Sequence, residues 1–165
     1  LLMRSGHIFP RRDRARRSTA LMKYDPVTLV VVLGSGHEDL RGVAAAGEIY
    51  LDDGETFEYE RGAQIHRRFH FDGSTSTLTS EDVGLHGELT AHFVESMKRV
   101  KVERIVIVGV PATWQAKKSV LLREGDSRVQ REVELQMNVG AEGQANWAIV
   151  SNPAVGIGTW WEMTF

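Results

Sequence analysis

The sequence predicts an all-β fold built from small antiparallel β-sandwiches, and three observations carry that expectation. Short apolar, β-branched runs bounded by turn residues recur along the whole chain. Sixteen glycines in 165 residues favour a turn-rich β architecture over a helical one. Strand-like and helix-like segments do not alternate, so a βα barrel, which needs about 250 residues in any case, does not fit.

Taken in order, Thr28 to Leu33 is the first strand-like run. Glu48 to Leu51 and Thr56 to Tyr59 flank Asp52-Asp53-Gly54, which predicts a β-hairpin, because glycine takes the positive φ of a tight turn. On its second strand Phe57 and Tyr59 share a face. In the run Ile65 to Phe71, alternation sets Ile65, Phe69 and Phe71 against His66, Arg68 and His70, with Arg67 interrupting the apolar face. The polar, glycine-containing stretch from Ser80 to Thr90 reads as an exposed loop. Leu89, Phe93, Val94 and Met97 recur at helical spacing and predict one short helix within His86 to Arg99. Val102 to Val110, Val129 to Met137, Trp147 to Val150 and Trp160 to Phe165 supply the remaining strands. Hairpin chemistry ends at Glu60-Arg61-Gly62-Ala63, which marks the expected seam between two domains, 1–62 and 63–165.

Composition narrows the function classes. A net charge of -2 and a pI near 6.3 argue against a nucleic-acid binder, which needs a basic excess to neutralise phosphates. No apolar run approaches the ~20 residues that cross a bilayer, so no membrane partner is expected. The opening residues, Leu1-Leu2-Met3-Arg4, lack the pattern of a signal peptide, and a start on Leu1 suggests a fragment of a longer polypeptide. The absence of cysteine removes disulfides, thiolate nucleophiles and thiolate metal sites together.

Each candidate for chemistry has a plainer rival. Arg11, Arg12, Arg14, Arg16 and Arg17 could grip phosphates, but no aromatics are interleaved, and pairing with acidic groups of a neighbouring domain is the better reading. His66 and His70 would share a metal on a helix; on a strand they lie about 13 Å apart and cannot. Asp52, Asp53 and Glu55 lack the alternation of a calcium loop and read as turn residues. Gly34-Ser35-Gly36-His37 follows an apolar run, yet no third glycine opens a helix, so it reads as a loop and not a phosphate cradle. Ser35 and His37 offer no triad. Trp114, Trp147, Trp160 and Trp161 could stack on sugars, though large aromatics more often fill cores; of Trp160 and Trp161, one should be core and the other exposed or at an interface. No catalytic, cofactor-binding or metal-binding residue is assigned.

Gly47 through Tyr59, followed by Arg67-Arg68-Phe69, resembles the C-terminal region of glycoside hydrolase family 31 α-glucosidases. The arginine-rich entry Arg4 to Arg11 with Asp25-Pro26-Val27, and the strand Val102-Glu103-Arg104-Ile105, are similar to the glucosidase II branch of that family. The resemblance implies a proximal sandwich in 1–62 and a distal one in 63–165. It implies an enzyme that trims α-1,3-linked glucose from N-linked glycans in the endoplasmic-reticulum lumen by retaining hydrolysis, which uses two carboxylates about 5–5.5 Å apart. In the family both belong to a catalytic barrel preceding this region, so neither is carried over to any position here. The implied partners are that barrel and the N-terminal domains of the same enzyme, a noncatalytic β subunit, and glycan met through the parent enzyme. Proximal strands starting at Leu1 would lack neighbours, so open sheet edges are expected. The rival reading is a carbohydrate- or partner-binding β-sandwich without enzymatic activity, using exposed aromatics and a loop from Ser80 to Lys101.

Overall fold

A computed structural model describes residues 2–34, 38–125 and 129–165. Ten strands follow one another as β1 (His7–Arg11), β2 (Val27–Val32), β3 (Ala44–Leu51), β4 (Ile65–Asp72), β5 (Thr77–Asp82), β6 (Lys101–Val108), β7 (Ser119–Glu124), β8 (Arg131–Asn138), β9 (Trp147–Gly156) and β10 (Trp161–Thr164). One α-helix, α1 (Thr90–Ser96), separates β5 from β6, and short 3₁₀ turns occupy Thr19–Met22, Glu58–Arg61 and Ala112–Ala116.

The strands are all-β as expected, but they close into one barrel in the order β1-β2-β6-β9-β8-β7-β10-β5-β4-β3, with β3 returning to β1. Two pairings, β2 with β6 and β1 with β3, are parallel, so the sheet is mixed and not purely antiparallel. Closure leaves no open sheet edge among the described strands, which corrects the expectation of unpaired edges. The expected seam at residues 60–63 lies in the link between β3 and β4, and these strands pair from Ala44↔Asp72 to Leu51↔Ile65. One sheet and one core therefore run across that seam.

Local sequence explains most elements. All six residues of β2 are buried, and it lies between β1 and β6, as suits an unbroken Val-Thr-Leu-Val-Val-Val run flanked by a parallel neighbour. In β4 the alternation holds: Ile65, Arg67, Phe69 and Phe71 are buried, while Arg68 and His70 are exposed. In α1 Phe93 is buried, Met97 is buried just after it, and Leu89 and Val94 pack against the core, as the helical spacing predicts. Aromatic packing fills the interior, with Trp114 stacked on Phe165 at 5.2 Å and Phe69 against Trp161 at 6.0 Å.

Two elements differ from expectation. Residues 56–59 form no hairpin strand, because Asp53 captures the Glu55 and Thr56 amides and the chain then winds into the Glu58–Arg61 turn, ended by Gly62 at φ 90°. The partner of β3 is thus β4. The loop expected from Ser80 starts later: Ser80 is fully buried within β5, and the connection to α1 begins after Asp82.

Candidate functional site

A surface pocket of about 320 Å³ is lined by Arg12, Lys23, Tyr50, Asp52, Glu55 and Met97, among others. Four segments meet there: the arginine-rich connection between β1 and β2, the end of β3, the turn that follows it, and Met97 at the end of α1. The turn is folded by its own side chains. Asp52 Oδ1 accepts the Gly54 amide at 2.9 Å, and Asp53 Oδ1 accepts the Glu55 and Thr56 amides at 3.1 and 3.0 Å. The Thr56 hydroxyl donates to Asp53 Oδ2 at 2.6 Å. These bonds, led by that hydroxyl, hold the Asp53 carboxyl at about 2.

Tyr50, at the pocket edge, is 46% exposed. Its ring meets the edge of His66 at 5.7 Å, and Glu48 Oε2 holds the His66 ring at 2.9 Å. Partial burial raises the Tyr50 phenol pKa, and the neighbouring Asp52 charge adds to it. Opposite, Arg12 donates through Nη2 to the Lys23 carbonyl at 3.3 Å. Burial lowers its guanidinium pKa, and the charge of Asp25 opposes that.

The other sequence candidates fall elsewhere. The arginine cluster is largely committed within its own chain: Arg11 pairs with Asp13, Arg14 with Glu103 of β6 at 3.2 Å, and Arg16 forks the buried Asp25 at 2.6 and 2.9 Å. The pairing expected with a neighbouring domain is thus largely an internal one. His66 and His70 lie on the outward face of β4, and His66 bonds to Glu48. Among the described residues no group of three or more His, Asp and Glu side chains is placed to hold a metal ion. No described helix is long and apolar enough to cross a membrane. Of the loop Gly34-Ser35-Gly36-His37, the last three residues lie outside the described residues. Trp114 and Trp161 are core, whereas Trp160 is part-exposed and carries the Arg123 guanidinium 4.8 Å from its ring centre. The alternation rule had called for that split.

The carboxyls with displaced pKa values, Asp13, Asp25, Glu48 and Asp53, all move down, each chiefly through a hydrogen bond from Arg or Thr. A glycosidase proton donor needs the opposite displacement. These four are held as anions suited to pairing and turn formation.

Sequence reasoning marks Arg67 as a break in an apolar face but not as the polar centre that it forms. It is 2% exposed and donates to the Ser80 hydroxyl at 3.2 Å, the Ser80 carbonyl at 2.7 Å and the Thr159 carbonyl at 3.0 Å, with Asp82 at 3.4 Å. Its break in the apolar face of β4 was the available signal.

No family model matches the chain. Curated relatives do. A probable glucan 1,3-alpha-glucosidase of Oryza sativa subsp. japonica is 38% identical over 130 residues, covering 79% of this chain and 13% of that protein. The glucosidase 2 subunit alpha of Schizosaccharomyces pombe is 36% identical over 124 residues, covering 75% and 12%. Among solved structures, the glucosidase II alpha subunit in its alpha3-Glc2-bound form matches with a TM-score of 0.82 at 41% identity, over 99% of this chain and 17% of that one. An ER glucosidase II heterodimeric complex, of the catalytic subunit and the binding domain of the regulatory subunit, matches to the same TM-score and identity. The chain thus spans about an eighth of the length of these curated relatives. By sequence and by structure it is homologous to a part of the glucosidase II alpha subunits and related α-glucosidases, and it matches their C-terminal region.

Proposed function

We propose that this chain is the noncatalytic C-terminal portion of an α-glucosidase that trims α-1,3-linked glucose from N-linked glycans in the endoplasmic-reticulum lumen. Retaining hydrolysis would take place in a catalytic barrel outside this segment, and the segment would hold that barrel in shape by burying apolar surface against it. The observation that carries the reading is the match over 99% of this chain to 17% of a glucosidase II alpha subunit. The four carboxyls with lowered pKa values are each engaged by an Arg or Thr hydrogen bond, which supports pairing and turn-forming roles for them. Its partners in this reading are the catalytic barrel and N-terminal domains of the same enzyme. A noncatalytic β subunit is a further one, a reading supported by the matched heterodimer with a regulatory subunit's binding domain. The division at residue 62 into proximal and distal parts is kept in this proposal as a division of the sequence, with both parts contributing strands to one barrel.

The test is hydrolysis of p-nitrophenyl α-glucoside by the purified chain, alone and after mixing with a separately produced N-terminal fragment holding the catalytic barrel. Activity in the mixture only is the expected result. Turnover by the chain alone would overturn the noncatalytic assignment, and an inactive mixture in which the two pieces associate would overturn the scaffold role.

A further inference from the structure

We infer that the pocket between Arg12, Tyr50 and the Asp52–Glu55 turn binds a neutral hexose ring, seated on the face of Tyr50. Tyr50 is nearly half exposed, yet its ring is fixed from beside by His66, which Glu48 in turn anchors. A pre-positioned aromatic face offers an apolar surface to the C–H side of a sugar at little entropic cost.

Charge decides the ligand class. The lining brings Arg12 and Lys23 together with Asp52, Asp53 and Glu55. Asp52 and Asp53 spend acceptors on the Gly54, Glu55 and Thr56 amides and the Thr56 hydroxyl but keep their charge, so two cations share the lining with three carboxylates. A phosphate would meet the carboxylates, and a metal ion or polyamine would meet the cations. A ring bearing several hydroxyls, each both donor and acceptor, satisfies both signs at once. Arg12 spends one N–H on the Lys23 carbonyl, so its fork retains donors for a ligand. The volume, about 320 Å³, lies at the small end of ligand pockets and suits one ring, not an extended chain. The inference does not rest on where a glucosidic bond is cleaved.

The experiment titrates the full 165-residue chain with methyl α-glucoside and follows amide chemical shifts. Saturable shifts at Gly54 and Glu55, with a dissociation constant of about 1 mM, are expected. Tyr50→Ala should weaken binding at least about tenfold, and Tyr50→Phe, which keeps the platform, by about threefold at most. Lys117→Ala, in a separate groove beside β8, should leave binding unchanged. Should Tyr50→Ala not fold, Glu55→Gln together with Tyr50→Phe replaces it, with a loss of about threefold or more expected from the glutamine variant. Absence of saturation up to about 50 mM, equal binding by the Tyr50→Ala chain, or displacement of the sugar by inorganic phosphate would each overturn the inference.

Discussion

Arg67 sits where a core residue should be, and its neighbours are arranged around that fact. Its guanidinium ties β4 to Ser80 of β5 and to Thr159 in the link between β9 and β10, while Asp82 supplies the counter-charge. Arg67→Leu would take a buried donor from the Ser80 and Thr159 carbonyls and the guanidinium from Asp82, which keeps the Gly84 amide, at a cost of about 2–4 kcal/mol. Arg67→Lys should recover only part of that, since a single ammonium nitrogen cannot reproduce the planar fork whose separate nitrogens reach Ser80, Thr159 and Asp82. Urea midpoints at unchanged slope measure both losses. Asp53 makes a different kind of prediction. Its carboxyl lies at about 2 in the folded chain against an ordinary 3.8. A depressed carboxylate contributes stability that is present above 3.8 and lost as pH falls toward 2. Asp53→Asn should therefore be less stable than the parent chain at neutral pH, with the gap narrowing between those two values. Parallel denaturation series across that window measure it, and a gap independent of pH would refute the assigned role. The anomaly at Arg67 was legible, because an arginine among Ile65, Phe69 and Phe71 breaks a visible alternation. Its partners were not, because Thr159 lies 92 residues away and nothing local points to it.

Among the elements, the barrel's weakest joint is its closing seam. β3 meets β1 through one paired position, His7↔Ala46, supported by the Ala46 amide donating to the Gly6 carbonyl at 3.1 Å. At that point Gly47 passes so close to β1 that a Cβ would lie 1.9 Å from the Ile8 carbonyl oxygen. Gly47→Ala should force the seam apart, cost about 1–3 kcal/mol and speed hydrogen exchange at the Ala46 amide more than in β6. Strain of the opposite kind sits in β9. Between Ser151↔Arg104 and Val155↔Val102 the strand bulges, and Asn152 and Ala154 flank Pro153 at φ 51° and 55°. A left-handed alanine is costly, so Ala154→Gly should stabilise the chain by about 1 kcal/mol, read as a raised thermal midpoint. Strands with a strict apolar alternation, such as β4, or a continuous apolar run, such as β2, were legible from sequence. β1 was harder because Pro10 interrupts it, and β5 because Ser80, a polar residue, holds a core position only through Arg67. The Asp-Asp-Gly turn was read correctly as a turn, but the strand expected after it yielded to Asp53, which takes the amides a ladder would have used.

At the scale of the whole molecule, the question is whether residue 62 divides two folding units or one. Pairing of β2 with β6 joins the first part to the second over six positions of β2, and pairing of β3 with β4 joins them again over eight. Without the second part, the wholly buried β2 loses its parallel neighbour and β3 its only long partner. Without the first, β4 and β6 become open edges, and the sheet beside Phe69, Phe71 and Ile105 loses its closure. Parallel partners so distant in sequence leave no local trace, which is why a hairpin boundary could pass for a domain boundary. The prediction is that 1–62 and 63–165, produced separately, each give poorly dispersed amide spectra, and that an equimolar mixture recovers the dispersion of the intact chain. All four tryptophans lie in the second piece, so burial of Trp161 on mixing gives a fluorescence blue shift that follows the same event. A well-dispersed spectrum from 63–165 alone would mean that the distal strands close a core by themselves. The pairings across residue 62 would then be a docking contact between two sandwiches, and not the means by which one barrel folds.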